Sequence, residues 1–119
     1  MTVVIKSSGQ LPDRVNVTLN VGGDDLGLPF LTRSMLDLWV HALHGPNPFL
    51  IVGRADDEMR FIQIYRNAPA DFTLEYRDGA GTDVMSTTVD APGTVVSLIW
   101  GWIHDDRTRL NRLDGWEAR

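Results

Sequence analysis

His104, Asp105 and Asp106 place an imidazole beside two carboxylates, which are the parts of an acid–base catalytic site. Adjacent residues at a helix end usually point apart, so a surface helix terminus is the simpler interpretation. A catalytic triad would also lack its nucleophile, because the chain has no cysteine and no serine in a GxSxG turn. The sequence therefore predicts no catalytic residues.

Two further groups have the residue types of a metal site. His41 and His44 lie three apart on a predicted helix, but no HExxH or comparable spacing supplies a third ligand. The acidic run at residues 56–58 lacks the alternating ligands and the glycine bend of a calcium loop. The glycines fit no phosphate-binding loop. We therefore expect no metal and no cofactor, and a solvated turn at residues 56–58.

Length and composition favour a single domain over residues 1–119. The chain has 119 residues, of which 43% are hydrophobic, enough for a core of its own. No stretch approaches the roughly 20 apolar residues of a membrane span, and Met1–Lys6 does not have the pattern of a secretory signal. Without cysteine no disulfide forms. Cytoplasmic residence is the expectation.

The charge balance indicates the kind of partner. A formal net charge of −5 argues against nucleic acid, whose phosphates require a basic face, and suits a basic protein partner. Ten arginines against one lysine, and thirteen aspartates against three glutamates, indicate a GC-rich bacterial genome such as that of an actinobacterium.

The elements that must position any site are mostly strands. Alternation of apolar and polar side chains predicts antiparallel strands with one face on a core and one face toward water. The predicted strands are Val3–Lys6, Arg14–Val21, Phe49–Val52, Met59–Arg66, Phe72–Arg77 and Thr82–Val89. Residues 26–31, with Gly27 and Pro29, are expected to form an ordered loop. The apolar run at residues 49–52 suggests a strand covered on both faces.

Two helices follow from apolar residues at helical spacing. The first is predicted from Arg33 to His44, with Thr32 or Ser34 as N-cap. The second begins after Asp90 as N-cap and ends near residue 104. Residues 107–119 form either a helical turn or a final short strand. The sum is an α+β fold, in which two helices pack on one face of a mainly antiparallel sheet of about five to six strands.

The open face of this sheet is the candidate partner-binding surface. Its outward residues are predicted to be Gln63, Tyr65, Thr73, Glu75 and Arg77, with Thr87 a further candidate. They either form ordinary cross-strand pairs or serve as an interaction platform. The strand at residues 59–66 is apolar on both sides, so a helix or a partner must cover its second face.

Trp100 is the remaining candidate contact residue. It lies about 200° around the helix from Trp102, so both cannot face the same core. Trp100 either packs with Trp116 under residues 107–119, which is the favoured alternative, or stays exposed as a binding anchor.

Several of these segments resemble a known group of proteins. The segments Phe61–Gln63 and Phe72–Gly79, the helix Val95–Trp102 and the closing Trp116 are similar to small actinobacterial proteins, some of them grouped with immunity proteins of polymorphic toxin systems. The resemblance covers residues 49–117. It implies a compact sheet-and-helix protein that binds and blocks a cognate toxin, with no catalytic residue.

Two functions are compatible with these observations. The first is a non-catalytic binding protein, of immunity type, that occludes a partner protein. The second is a small enzyme or ligand-binding accessory protein of specialised metabolism, with a tryptophan-lined pocket of roughly 300 Å3 or more near His104, Asp105, Tyr65 and Tyr76. Homodimer formation through the sheet face or an edge strand is compatible with either.

Overall fold

Antiparallel strands dominate the structure, as the alternation of side chains predicts. The computed structural model describes residues 14–28 and 30–119. The strands in this part of the chain are β1 (Arg14–Val15), β2 (Thr18–Val21), β3 (Asp24–Leu26), β4 (Leu31–Thr32), β5 (Phe49–Arg54), β6 (Asp57–Ala68), β7 (Asp71–Asp78), β8 (Met85–Val89) and β9 (Glu117–Ala118). The helices are α1 (Arg33–His41), α2 (Pro92–Ile103) and α3 (Thr108–Arg112). The predicted strand Val3–Lys6 lies outside the described residues.

Seven of the strands form one sheet in the order β3-β2-β5-β6-β7-β8-β9, and every neighbouring pair is antiparallel. Strands β1 and β4 form a separate two-stranded ribbon. Helix α2 packs on β6, β7 and β8, while α1 and α3 pack against α2, so the helices lie on one side of the sheet. The predicted α+β class, with helices on one face of an antiparallel sheet, is confirmed.

The sheet is wider than predicted because β3 and β9 are added to it, one at each edge. Strand β3 arises because the segment at residues 14–26 folds differently from the expected single strand. The expected strand is interrupted after Val15 and resumes at Thr18. Gly22 and Gly23 both have positive φ, 63° and 103°, which is the backbone of a tight hairpin turn. That turn returns the chain as β3, so part of the predicted loop at residues 26–31 is strand instead.

Helix α1 begins as predicted and ends three residues early. The Thr32 hydroxyl accepts a hydrogen bond from the Met35 amide at 3.1 Å, which makes Thr32 the N-cap. At the other end, the Arg66 guanidinium donates to the carbonyls of His41 and Leu43, each at 3.2 Å. Arg66 thereby binds carbonyls that a further helical turn would have used.

Helix α2 is apolar around its whole circumference. Every residue from Val95 to Ile103 is buried except Ser97, which is half-buried. A helix of this kind is covered on several sides, and here the sheet covers one side and α1 and α3 cover others. The N-cap position is Ala91, which provides no side-chain cap, so the prediction of Asp90 as N-cap is wrong. None of the three helices in the described part of the chain has the length and apolar character of a membrane span.

Candidate functional site

The two faces of the large sheet have different surroundings. Residues directly opposite one another on antiparallel strands share a face. One face holds Leu50, Ile62, Ile64 and Leu74, which are buried against the helices. No helix or strand among residues 14–28 and 30–119 covers the other face, which we call the open face. The side chains of its central strands are Phe49, Ile51, Phe61, Gln63, Tyr65, Thr73, Glu75 and Arg77.

Five of the predicted contact residues on the strands lie on this open face, namely Gln63, Tyr65, Thr73, Glu75 and Arg77. Tyr65 pairs with Thr73, and Gln63 pairs with Glu75 in the neighbouring position. Arg77 follows on the same strand, where its Nε donates to the Gly79 carbonyl at 3.2 Å. Tyr65 is 44% exposed, the highest value among the aromatic residues of the described strands.

Thr87 does not belong to the open face. It pairs with Leu74 on the helix side of the sheet, is buried, and donates its hydroxyl to the Asp114 carbonyl at 2.9 Å. Its neighbours Ser86 and Thr88 occupy the open face instead. A shift of one residue reverses every side chain of a strand, so the sequence could not fix the phase of this short polar strand.

The open face contains a concavity of about 500 Å3. Its lining residues are Phe49, Ile51, Gln63, Ile64, Tyr65, Thr73, Glu75 and Arg119. Phe49 and Ile51 were expected in a strand covered on both faces, yet they are half-buried and line the concavity. The sequence does contain a signal for this position. The run at residues 49–52 is apolar on both faces, and so is its neighbour β6, so the two strands together give the open face an apolar surface.

Glu75 is the charged group at the base of this concavity. Its side chain is 8% exposed, although it belongs to the open face. One carboxylate oxygen, Oε1, accepts a hydrogen bond from Nε2 of Gln63 at 2.7 Å. The other, Oε2, is paired with the Arg119 guanidinium. A carboxylate this far from water requires hydrogen bonds and a cation to remain charged, and the two side chains supply both.

Trp100 is not available as a surface anchor. It is 3% exposed, and its ring lies 5.0 Å from the ring of His104 in an edge-on arrangement. Its expected place among the contact residues is therefore wrong. Trp100 is buried, as the favoured alternative requires, but its aromatic partner is His104 and not the Trp116 of that prediction. Trp116 packs edge-on against Tyr76, at 5.0 Å between ring centroids.

The residues at the end of α2 are held in structural interactions. Asp105 has a positive φ of 60°, and its Oδ1 accepts from Arg54 and from Arg60, at 3.0 Å each. Asp106 instead accepts from the Thr108 amide at 3.1 Å. The two carboxylates therefore bind different partners, two arginine side chains for Asp105 and a backbone amide for Asp106.

His104 is nevertheless in an unusual environment. Its Nε2 is buried without a hydrogen-bond partner among the described residues. Burial and the nearby Arg54 charge lower the pKa of His104 below its ordinary value, against the opposing effect of Asp105. The imidazole is thus favoured in its neutral form, which suits a packed position under the Trp100 ring.

The other candidate groups are dispersed over the surface. His41 is exposed, and its Nδ1 lies 2.9 Å from the Asp37 carbonyl on its own helix. His44 is exposed in the loop after α1. In the acidic run the turn is at residues 55 and 56, so the predicted turn at residues 56–58 is wrong for Asp57 and Glu58, which belong to β6. Asp57 accepts a hydrogen bond from the Met59 amide at 2.9 Å. Within the ranges that the structure describes, no three His, Asp or Glu side chains gather as a metal site would require.

The residues proposed for a ligand pocket do not converge. Tyr65 lies on the open face, whereas Tyr76 pairs with Ile62 on the helix face. His104 and Asp105 lie at the end of α2, on that same helix side. The concavity on the open face thus contains only one of the four.

No protein-family model matches this chain, and the comparisons with curated proteins and with solved structures found no match. The resemblance of residues 49–117 to immunity proteins therefore stays a prediction. Function has to be inferred from the geometry of the described residues.

Proposed function

We propose that this chain is a non-catalytic binding protein that recognises another protein through the open face of its sheet. In this proposal the protein acts stoichiometrically, as an immunity-type inhibitor does, by occluding a functional surface of its partner. The observation that carries the proposal is a sheet face with apolar and aromatic side chains that no described helix or strand covers.

The composition of the open face supports a protein partner. Phe49, Ile51 and Tyr65 surround a polar centre made by Gln63 and Glu75. Apolar patches with a few fixed polar groups are typical of surfaces that bind proteins or ligands. Tyrosine is also enriched among the residues that contribute most to binding energy.

The charge of the chain supports a basic partner. The formal net charge is −5, so the field of the protein attracts a cationic surface and accelerates its association. At the end of α2, Asp105 contributes little to this attraction because it is paired with Arg54 and Arg60.

The volume of the concavity favours a second candidate function, binding of a small ligand. About 500 Å3 lies within the range of ligand pockets, and the polar side chains of Gln63, Thr73, Glu75 and Arg119 are among its lining. The pocket is formed by residues of the open face rather than by His104 and Tyr76. Native mass spectrometry of the protein purified from its own host tests this candidate, because a bound ligand would appear as a discrete added mass.

Site-specific photo-crosslinking tests the protein-binding proposal. Tyr65 is replaced by benzoylphenylalanine in the full chain, which is irradiated in host cells and analysed by mass spectrometry. The matched control carries benzoylphenylalanine at Ser34, which is exposed on α1, away from the open face. We expect one dominant heterologous protein at position 65 and none of it at position 34.

Three outcomes would contradict the proposal. Equal capture of the same protein from both positions would show non-specific contact. A crosslink from position 65 to residues 1–13 of the same chain would show that the open face is covered internally. A crosslink only to a second copy of the chain would replace occlusion of a partner by homodimer formation.

A further inference from the structure

Glu75 and Arg119 form an ion pair whose two side chains differ strongly in solvent exposure. The Glu75 side chain is 8% exposed, whereas that of Arg119 is 60% exposed. The carboxylate is a fixed part of the sheet, held by β7 and by the hydrogen bond from Gln63. The Arg119 guanidinium instead reaches the carboxylate from the solvent side, and its charge offsets the free-energy cost of burying that carboxylate.

The backbone that delivers Arg119 is weakly held. It follows β9, a strand of two residues at the edge of the sheet. Beyond the pairing of β9 with β8, the Arg119 amide donates to the Val84 carbonyl at 2.8 Å. Short edge segments with exposed side chains open at low free-energy cost. The guanidinium can therefore leave while Glu75 stays in place.

The walls of the concavity suit a guanidinium. Phe49, Ile51 and Tyr65 offer apolar and aromatic surface beside the carboxylate. A planar guanidinium stacks on such surface and loses less hydration than an ammonium group does. In the structure the Arg119 guanidinium is paired with the Glu75 carboxylate at this concavity.

We infer that Glu75 is a receptor for an arginine side chain of the partner protein, and that Arg119 occupies this receptor in the free protein as an exchangeable substitute. The inference rests on the proposed function, because it places the partner's arginine at the centre of the open face. Charge complementarity identifies the occupant, since a buried carboxylate in a chain of net charge −5 selects a cation. Binding then replaces one ion pair by another and leaves no buried charge unpaired.

Titration with a blocked amino acid tests this inference without the partner. N-acetyl-arginine amide is added to isotope-labelled full-length protein, and the Gln63 side-chain amide is followed by NMR because its Nε2 donates to Glu75. Arg119 is a tethered competitor for the probe. We therefore expect Arg119→Ala to lower the half-saturating concentration roughly tenfold, the contribution of one charge-assisted hydrogen bond.

Two controls make the result specific to the carboxylate. The double variant Arg119→Ala with Glu75→Gln keeps a group that can bond Gln63 but loses the charge, so the gain in affinity should disappear. N-acetyl-citrulline amide, which is nearly isosteric and uncharged, should bind Arg119→Ala roughly tenfold more weakly than the arginine probe. Arg112→Ala, which removes an exposed arginine on α3, should leave the titration unchanged.

Equal half-saturation in the native chain and in Arg119→Ala would overturn the inference, as would equal binding of the citrulline probe. These results are independent of the photo-crosslinking. A partner captured at position 65 together with a failed arginine titration refutes only the arginine receptor. A successful titration without any captured protein refutes the partner protein as the source of the arginine and assigns the site to a free guanidinium ligand.

Discussion

The Glu75 carboxylate and the Arg119 guanidinium, 44 residues apart in the chain, form an ion pair on the open face of the sheet. The pair joins a central strand to the segment after the edge strand β9. Arg119 both stabilises Glu75 and lines the concavity. Detachment of residues 117–119 from the sheet would therefore remove one wall of the concavity and leave Glu75 without its cation.

Arg119→Ala should destabilise the native chain more than it destabilises a Glu75→Gln background. Removing the cation leaves a buried carboxylate, whereas glutamine at position 75 carries no charge to compensate. We expect a coupling free energy of about 1 kcal/mol, at the low end because Arg119 is exposed to solvent. Urea denaturation of the four proteins measures it, and additive changes would contradict the ion-pair role.

Trp116 should control whether residues 117–119 stay on the sheet. Its Nε1 donates to the Leu110 carbonyl at 3.0 Å, and its ring packs on Tyr76. Trp116→Ala removes both interactions, so the Arg119 amide, bonded to Val84, should exchange with solvent at least tenfold faster, which corresponds to a loss of about 1.4 kcal/mol. Trp116→Phe keeps the ring contact and should give an intermediate rate by hydrogen-exchange NMR. An unchanged rate in Trp116→Ala would show that β9 is held by its strand pairing alone.

Gly53→Ala should destabilise the protein because the added Cβ would clash with the Thr18 side chain. A Cβ at this position would lie 2.6 Å from Oγ1 of Thr18, directly across the β2–β5 pair. We expect a loss of about 1 kcal/mol, the low end for overpacking, because Thr18 is exposed and its side chain can move. Thr18→Ala removes the clashing oxygen, so Gly53→Ala should cost much less in that background. A double-mutant cycle by thermal unfolding tests this, and an equal cost in both backgrounds would exclude the clash as the cause.

His104 should make the protein less stable in mild acid. Its pKa in the folded state is lowered below the ordinary value of 6.5, so the unfolded chain binds the proton more readily. The stabilising contribution is therefore complete above about pH 6.5 and is lost as the pH falls through the lower, folded-state pKa. The difference in urea midpoint between pH 7.5 and pH 5 should be smaller in His104→Gln than in the native chain. His44→Gln, at an exposed site, is the control and should behave as the native chain does.

Periodicity in the sequence was sufficient to predict the class of the fold. The alternation at residues 72–77 and the apolar spacing in α1 and α2 depend on local geometry, and the structure places these segments as strand and helices. The same alternation placed Thr73, Glu75 and Arg77 on one face, because strands with a buried side have a fixed phase. The pattern of β6 is apolar on both sides, so its pairing with β7 decides the face of Gln63 and Tyr65. The glycines at Gly22–Gly23 mark the end of a strand, but they do not show that the chain returns along β2 as β3.

Tertiary structure alone decided what covers each surface. Trp100 is buried because α2 is packed on several sides, which the helical spacing of its own residues does not show. Phe49 and Ile51 line the concavity because no described element covers the second face of β5. Arg119 meets Glu75 only through the pairing of β9 with β8, a contact between distant parts of the chain. The sequence by itself determined the helices and strands, because these follow from local periodicity. Which element packs on each face was decided by the tertiary structure, because such contacts join residues far apart in the chain and leave no trace in the local pattern.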